Sequence, residues 1–255
     1  MRLIKISFIV VALSVMAIAS SAFIKSRTSS NRNADAKGFA VVELFTSEGC
    51  SSCPPADELV ARIQNESRNE PVYILAYHVD YWNRLGWKDV FSSADFSKRQ
   101  NDYANYLHLQ SVYTPQIVVN GKTEFVGSEE GKLRSTIRTD LQKNPTAQLA
   151  LTMIKTDNNQ ASLKYGTVGT DKNTVLLIAV LQKSAQTNVE RGENGGHTLS
   201  HVQIVRKLQR VALNGNNGIA NVVLPHGFDS KSWEIIGFLQ NTSNGAVVGA
   251  ARIIF

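Results

Sequence analysis

Apolar residues recur along this 255-residue chain in rhythms that change near residue 145. In the first part, short continuous apolar runs alternate with stretches of helical period. Ala40 to Thr46 (Ala-Val-Val-Glu-Leu-Phe-Thr) predicts a strand buried on both faces. Leu59, Val60 and Ile63 share one side of a helix reaching about Asn65, and Pro54 and Pro55 fit its first turn, where a missing N–H costs nothing. Val72 to Val79 is a second strand, and strand–helix–strand at this length makes a right-handed parallel unit. Residues 80–91 hold Trp82 and Trp87 without a period and read as a long ordered loop. A helix over 94–108 carries Phe96, Tyr103 and Leu107 on one side. A strand then opens on Pro115 and ends at Asn120-Gly121, a strong hairpin signal, with the return strand over 123–127. Ser128 is placed to cap a last helix with Glu129 and Glu130 in its first turn, and Asn144-Pro145 ends it.

Beyond Ala147 the helical period disappears. Residues 148–154, 161–165, 174–182, 200–211, 219–224, 233–240 and 246–255 read as short strands between Asn-, Asp- and Gly-containing turns. That spacing predicts an all-β antiparallel sandwich over 146–255, following an α/β domain over 39–145.

The N-terminus carries a different pattern. Met1 to Lys5 is basic, Ile6 to Ala19 is nearly all apolar, and Ser20-Ser21-Ala22 offers small residues for cleavage. This is the form of a signal peptide over 1–22, followed by a flexible leader over 23–38. The apolar run is shorter than the ~20 residues of a spanning helix, so membrane attachment would require an uncleaved leader. The expected location is outside the cytoplasm, periplasmic or secreted. Formal charge is +6, two of it from Arg2 and Lys5 within residues 1–22, without a basic block or base-stacking motif. Nucleic acid is therefore not an expected partner.

Export sharpens the reading of the two cysteines, Cys50 and Cys53, the only ones in the chain. They close too small a loop to stabilise much through chain entropy, although a local staple is one reading. At the start of a helix, free N–H groups and the dipole favour a thiolate, and thus thiol–disulfide exchange. Cys50, nearer the helix end and expected to be the more exposed, would attack, and Cys53 would resolve the mixed disulfide. Glu48, two residues earlier, opposes the thiolate. Parallel strands end on one sheet edge, which collects His78, Asp80 and Trp82 near the cysteines. An antiparallel strand starting at Thr114-Pro115 begins at that edge too. The Gly-rich segment Arg191 to Gly196 breaks the β region and is expected to return to the redox edge, with Arg191 or Glu193 meeting substrate or the neighbouring domain. A hairpin tip in solvent is the alternative. His197 and His201 are four apart, a metal spacing only on a helix. Pro54 stands where a haem-attachment motif needs histidine. Two cysteines cannot complete a four-thiolate zinc site, and neither a resident metal nor another cofactor is expected.

The element order, with Cys-x-x-Cys at the first helix and Thr-Pro at the third strand, resembles the thioredoxin fold core over about residues 39–143. In that superfamily the proline, here Pro115, has a cis peptide bond and packs beside the disulfide, and the preceding residue, here Thr114, offers its backbone to a bound peptide. The buried acid of thioredoxins sits six positions before the first cysteine. Leu44 stands there in this chain, and the neighbouring Glu43 reads as structural or as a proton acceptor. The wording is closer still to an uncharacterised family of secreted thioredoxin-like proteins, which carry Glu-Leu-Phe-Thr-Ser, Gly-Cys-Ser-Ser-Cys-Pro-Pro-Ala-Asp, His-Val-Asp-Tyr-Trp, Tyr-Thr-Pro-Gln and Arg-Gly-Glu-Asn. This resemblance spans nearly the whole mature chain and implies fold and export, without a substrate. The resulting expectation is an exported thiol–disulfide oxidoreductase. Its partners would be protein or small-molecule thiols and disulfides and an unidentified electron donor or acceptor. The alternatives are a binding or scaffold protein with a disulfide that does not turn over, and a Cu(I)-handling protein using Cys50, Cys53 and His78.

Overall fold

A computed structural model describes residues 38–157 and 159–253, so the leader expected over 1–22 and nearly all of the stretch expected over 23–38 lie outside it. The chain forms β1 (Ala40–Thr46), α1 (Pro54–Glu66), β2 (Val72–His78), α2 (Ala94–Tyr106), β3 (Gln116–Val119), β4 (Thr123–Val126) and α3 (Glu130–Leu141). Seven strands follow: β5 (Gln148–Thr156), β6 (Gln160–Val168), β7 (Thr174–Asn188), β8 (Thr198–Ala212), β9 (Asn217–Val223), β10 (Trp233–Asn241) and β11 (Val247–Arg252). Two helix ends differ from expectation. Helix α2 stops at Tyr106 because His108 turns left-handed, at φ 55°. Helix α3 starts after Glu129, and Ser128 does not cap it.

The architecture is mixed α/β: an eight-stranded mixed sheet, ordered β11-β10-β7-β8-β2-β1-β3-β4, and a three-stranded antiparallel sheet, ordered β5-β6-β9. The sandwich expected after residue 145 is present in part. β5, β6 and β9 share a core with β7 and β10 through Leu163, Tyr165 and Val222 against Ile178, Val180 and Ile235. However, β7, β8, β10 and β11 belong to the large sheet, which β8 joins by running parallel to β2 at Ala76–Ile204. Residue alternation is the same in parallel and antiparallel pairing, so periodicity did not distinguish these arrangements. β7 and β8 are also longer than expected. Their outer arms, Ser184 to Asn188 and Thr198 to Val202, pair with each other although they are largely polar.

Helices cover both faces at the centre. Ala40, Val42, Leu44 and Ile74 pack with Leu59 and Ile63 of α1 and Leu133 and Ile137 of α3. Val41, Phe45, Leu75 and Tyr77 pack with Phe96 and Tyr103 of α2. Glu43 has the parity of Val41 and Phe45, so it faces α2, away from the helix that carries Cys53. Its carboxylate accepts from Arg99 Nε (2.5 Å), Arg99 Nη2 (2.8 Å) and Tyr103 Oη (2.5 Å). Of its two readings, the structural one fits this environment. Asn120, in the β3–β4 turn, accepts from Val41 N and donates to Phe39 O and Asp140 Oδ2, tying β1 to the hairpin and to the end of α3. Gly121 adopts φ 64°, and a Cβ there would fall 2.0 Å from Gly245 O. A side chain cannot fit between those two turns.

The buried Glu43–Arg99 pair yields a stability test. Arg99→Leu leaves a carboxylate at 0% exposure without its cation, an expected loss of about 3–5 kcal/mol. The double variant Glu43→Gln/Arg99→Leu is expected to recover part of that loss in urea denaturation.

Candidate functional site

β1 delivers the chain to the sheet edge at Thr46, and Ser47-Glu48-Gly49 turns it back towards α1. Cys50 N donates to Ser47 O (3.2 Å) and Cys53 N to Cys50 O (3.1 Å), so Cys-x-x-Cys is itself a hydrogen-bonded turn. Cys53 caps α1, its carbonyl accepting from Ala56 N and Asp57 N. Cys50 and Cys53 form a disulfide with Cα atoms 5.4 Å apart. Both are buried, at 1% and 0% exposure, so the expected exposure of Cys50 is corrected. Two segments pack on the cysteine turn. Trp82 stands over Gly49, where an added Cβ would lie 3.2 Å from the Trp82 Cβ. The loop between β7 and β8 closes the other side. Asn194 Nδ2 donates to Glu48 O (2.9 Å) and Cys50 O (3.0 Å), while Glu193 Oε2 accepts from Ser51 N (2.9 Å) and Ser51 Oγ (2.7 Å).

The remaining sequence-derived residues divide. Thr114–Pro115 is cis, and Trp82 Nε1 donates to Thr114 Oγ1 at 2.8 Å, so Trp82 links the cysteine turn to the start of β3. A Cβ on Gly127 would lie 3.0 Å from those of both Ala56 and Pro115, which places the proline against the first turn of α1. Asp80 serves α2 instead: its Oδ1 accepts from Ser97 Oγ at 2.5 Å. Arg191 is exposed.

Behind the disulfide lies a buried ionisable cluster. β1 and β2 pair in register up to Thr46 and His78. His78 Nδ1 is 2.7 Å from Asp89 Oδ2, both fully buried. Asp89 also accepts from Glu48 N and Phe91 N. Burial raises its carboxyl pKa, but His78 and these backbone donors together hold it below the ordinary value. From β8, His201 brings Nε2 to 3.5 Å from Glu48 Oε1 and Nδ1 to 3.9 Å from Asp57 Oδ1, and its ring centroid lies 4.8 Å from that of His78. Burial disfavours the imidazolium, yet Asp57 and Glu48 outweigh it and lift His201 to about 9. Thr46 Oγ1 donates to Asp57 Oδ2, and Trp87 Nε1 to Glu48 Oε2 at 2.7 Å.

Sequence reasoning did not bring His201, Asp57 and Asp89 into the site. Asp57 had a usable signal: it lies four residues after Cys53 on one helix, hence on its side. His201 was singled out only with His197 as a metal spacing; in the fold it is buried and His197 is exposed. Its approach depends on the β2–β8 pairing, which no local pattern encodes. Among the described residues, no group of three or more His, Cys, Asp and Glu is arranged to hold a metal ion.

Comparison with known proteins places the chain. Protein AGR_C_4864 from Agrobacterium tumefaciens, a solved structure, is similar over 84% of this chain and 93% of its own, at 28% identity and a TM-score of 0.65. HBP35 of Porphyromonas gingivalis is similar over 86% of this chain and 76% of its own, at 16% identity and a TM-score of 0.58, a likeness of fold. No curated protein matches the chain. Residues 41–240, which include the cysteine turn, the buried cluster and the covering loop, match one family throughout, and the chain belongs to it: the family described as "Protein of unknown function (DUF1223)".

Proposed function

We propose that this chain is an exported thiol–disulfide oxidoreductase, with a thioredoxin-like unit over residues 39–145 and exchange chemistry at Cys50 and Cys53. One observation carries the reading: a two-residue-spaced disulfide at the N-terminal end of α1, with cis Thr114–Pro115 packed against that turn and tied to it through Trp82. Export rests on the leader pattern of residues 1–22.

A partner thiolate would attack Cys50 Sγ, forming the mixed disulfide while the electron pair of the old S–S bond leaves on Cys53 Sγ. A second partner thiol would release Cys50, so two thiols are oxidised and one disulfide is reduced. In the reverse direction the Cys53 thiolate attacks the mixed disulfide and expels the partner's sulfur. Opening the disulfide adds negative charge beside Glu48 and Asp57, two carboxylates already buried. His201 as imidazolium is the counter-charge there. The cluster also disfavours an exposed, strongly acidic thiolate of the kind that makes a powerful oxidant. A second reading, a binding protein whose disulfide does not turn over, is favoured by the burial of both sulfurs.

Cys53→Ser is expected to accumulate a mixed disulfide through Cys50, visible on non-reducing gels with thiol-bearing polypeptides, and Cys50→Ser is not. If neither variant traps a partner and the wild-type pair turns over no disulfide, the binding reading stands instead. His201 sets a pH test. Its pKa is raised from 6.5 to about 9 on folding. The stability it contributes is therefore complete below about 6.5 and lost as pH rises through about 9. Between pH 6 and 9.5 the wild type is expected to lose up to about 3 kcal/mol in urea denaturation, and His201→Gln to show a much flatter profile.

A further inference from the structure

The loop between β7 and β8 is built as a cover. It sits at the end of two long antiparallel strands and is closed at its base by Val189 N to His197 O (2.9 Å) and Gly196 N to Val189 O (2.7 Å). Gly192 adopts φ 79° and packs against Trp87, where a Cβ would lie 3.2 Å from the tryptophan Cβ. What the loop covers is main chain. Asn194 engages the carbonyls of Glu48 and Cys50, and Glu193 engages the N–H of Ser51 as well as its hydroxyl. Glu193 lies on the exposed surface and Asn194 is buried.

We infer that Asn194 and Glu193 gate the disulfide, holding Cys50 closed until a polypeptide whose backbone replaces their hydrogen bonds lifts the loop. The inference rests on the exchange reading above. Lifting the loop strips a donor from two carbonyls and an acceptor from one N–H beside the sulfur under attack. A simple thiol lacks the N–H that the carbonyls of the buried residues Glu48 and Cys50 lose, and leaving those unpaired is unfavourable. An extended peptide carries N–H and C=O groups on either side of its cysteine and restores both kinds of bond. Its thiolate then attacks Cys50 Sγ; the new S–S bond forms as the Cys50–Cys53 bond breaks, and the electron pair leaves on Cys53, which takes a proton from the buried cluster or from water. The partner's thiol is oxidised and the protein's disulfide is reduced.

The test compares two probes on the oxidised mature protein: 2-mercaptoethanol, and the end-blocked peptide Ala-Ala-Cys-Ala-Ala, with opening rates normalised to thiolate concentration. The peptide is expected to open the wild-type disulfide at least about tenfold faster, in line with the loss of one or two hydrogen bonds. Asn194→Ala removes the loop's hold on those carbonyls before either probe arrives, so it is expected to raise both rates, by about tenfold. Glu193→Gln, at an exposed position that cannot collapse the core, is expected to raise both rates by a smaller factor. Equal normalised rates for both probes on the wild type would overturn the inference and leave exchange standing, as would rates that neither variant alters. A disulfide that neither probe opens, in wild type or variants, would remove the exchange reading and this inference together.

Discussion

The parallel contact of β8 with β2, at Ala76–Ile204, is what the functional end of the molecule depends on. β1, β2 and β3 alone bring together the cysteine turn, His78, Trp82 and Thr114–Pro115. They leave Asp57 and Glu48 buried without a cation of their own. β8 supplies it. The strand runs along the face of α1 with His201 near its start, and the hairpin that precedes it reaches over the cysteines. One strand placement therefore delivers both the charge behind the disulfide and the cover in front of it.

Charge within that cluster is distributed by function of burial. Asp89 is matched by His78 and by backbone donors, and Glu48 and Asp57 share His201. A buried carboxylate without such partners would be protonated or would unfold the site. Glu43 and Arg99 solve the same problem separately on the opposite face of the sheet, where they hold α2 in place and do not reach the cysteines. The sheet thus keeps this ion pair and the cluster behind the disulfide on opposite faces by alternation alone.

Much of this was legible locally. The burial of both faces of β1, the helix opening on Pro54-Pro55, the Asn120-Gly121 hairpin and the order of elements to residue 141 are short-range properties of composition and period. Convergence of His78, Trp82 and Thr114 followed from strand direction. Three features were not readable. The partner of β8 is not recorded in its own alternation, so His201 read as half of a metal spacing. The outer arm of β7, Ser184 to Asn188, is largely polar and pairs only with β8, so it was not read as strand. The burial of Cys50, whose carbonyl accepts from Asn194 well over a hundred residues away, was the third, since a helix N-terminus on its own implies exposure. Asp57 could have been placed by its four-residue spacing from Cys53; Asp80, chosen by its nearness to the edge, turns to Ser97 instead.

The equilibrium reduction potential of the Cys50–Cys53 pair, measured in the purified protein against a glutathione or dithiothreitol couple, tests the central claim most directly. Exchange chemistry beside buried carboxylates requires a value near the thioredoxin end of the range of roughly −270 to −120 mV spanned by exchange enzymes. A value well below about −300 mV, the territory of structural disulfides, would contradict it and mark the pair as a fixed part of the fold.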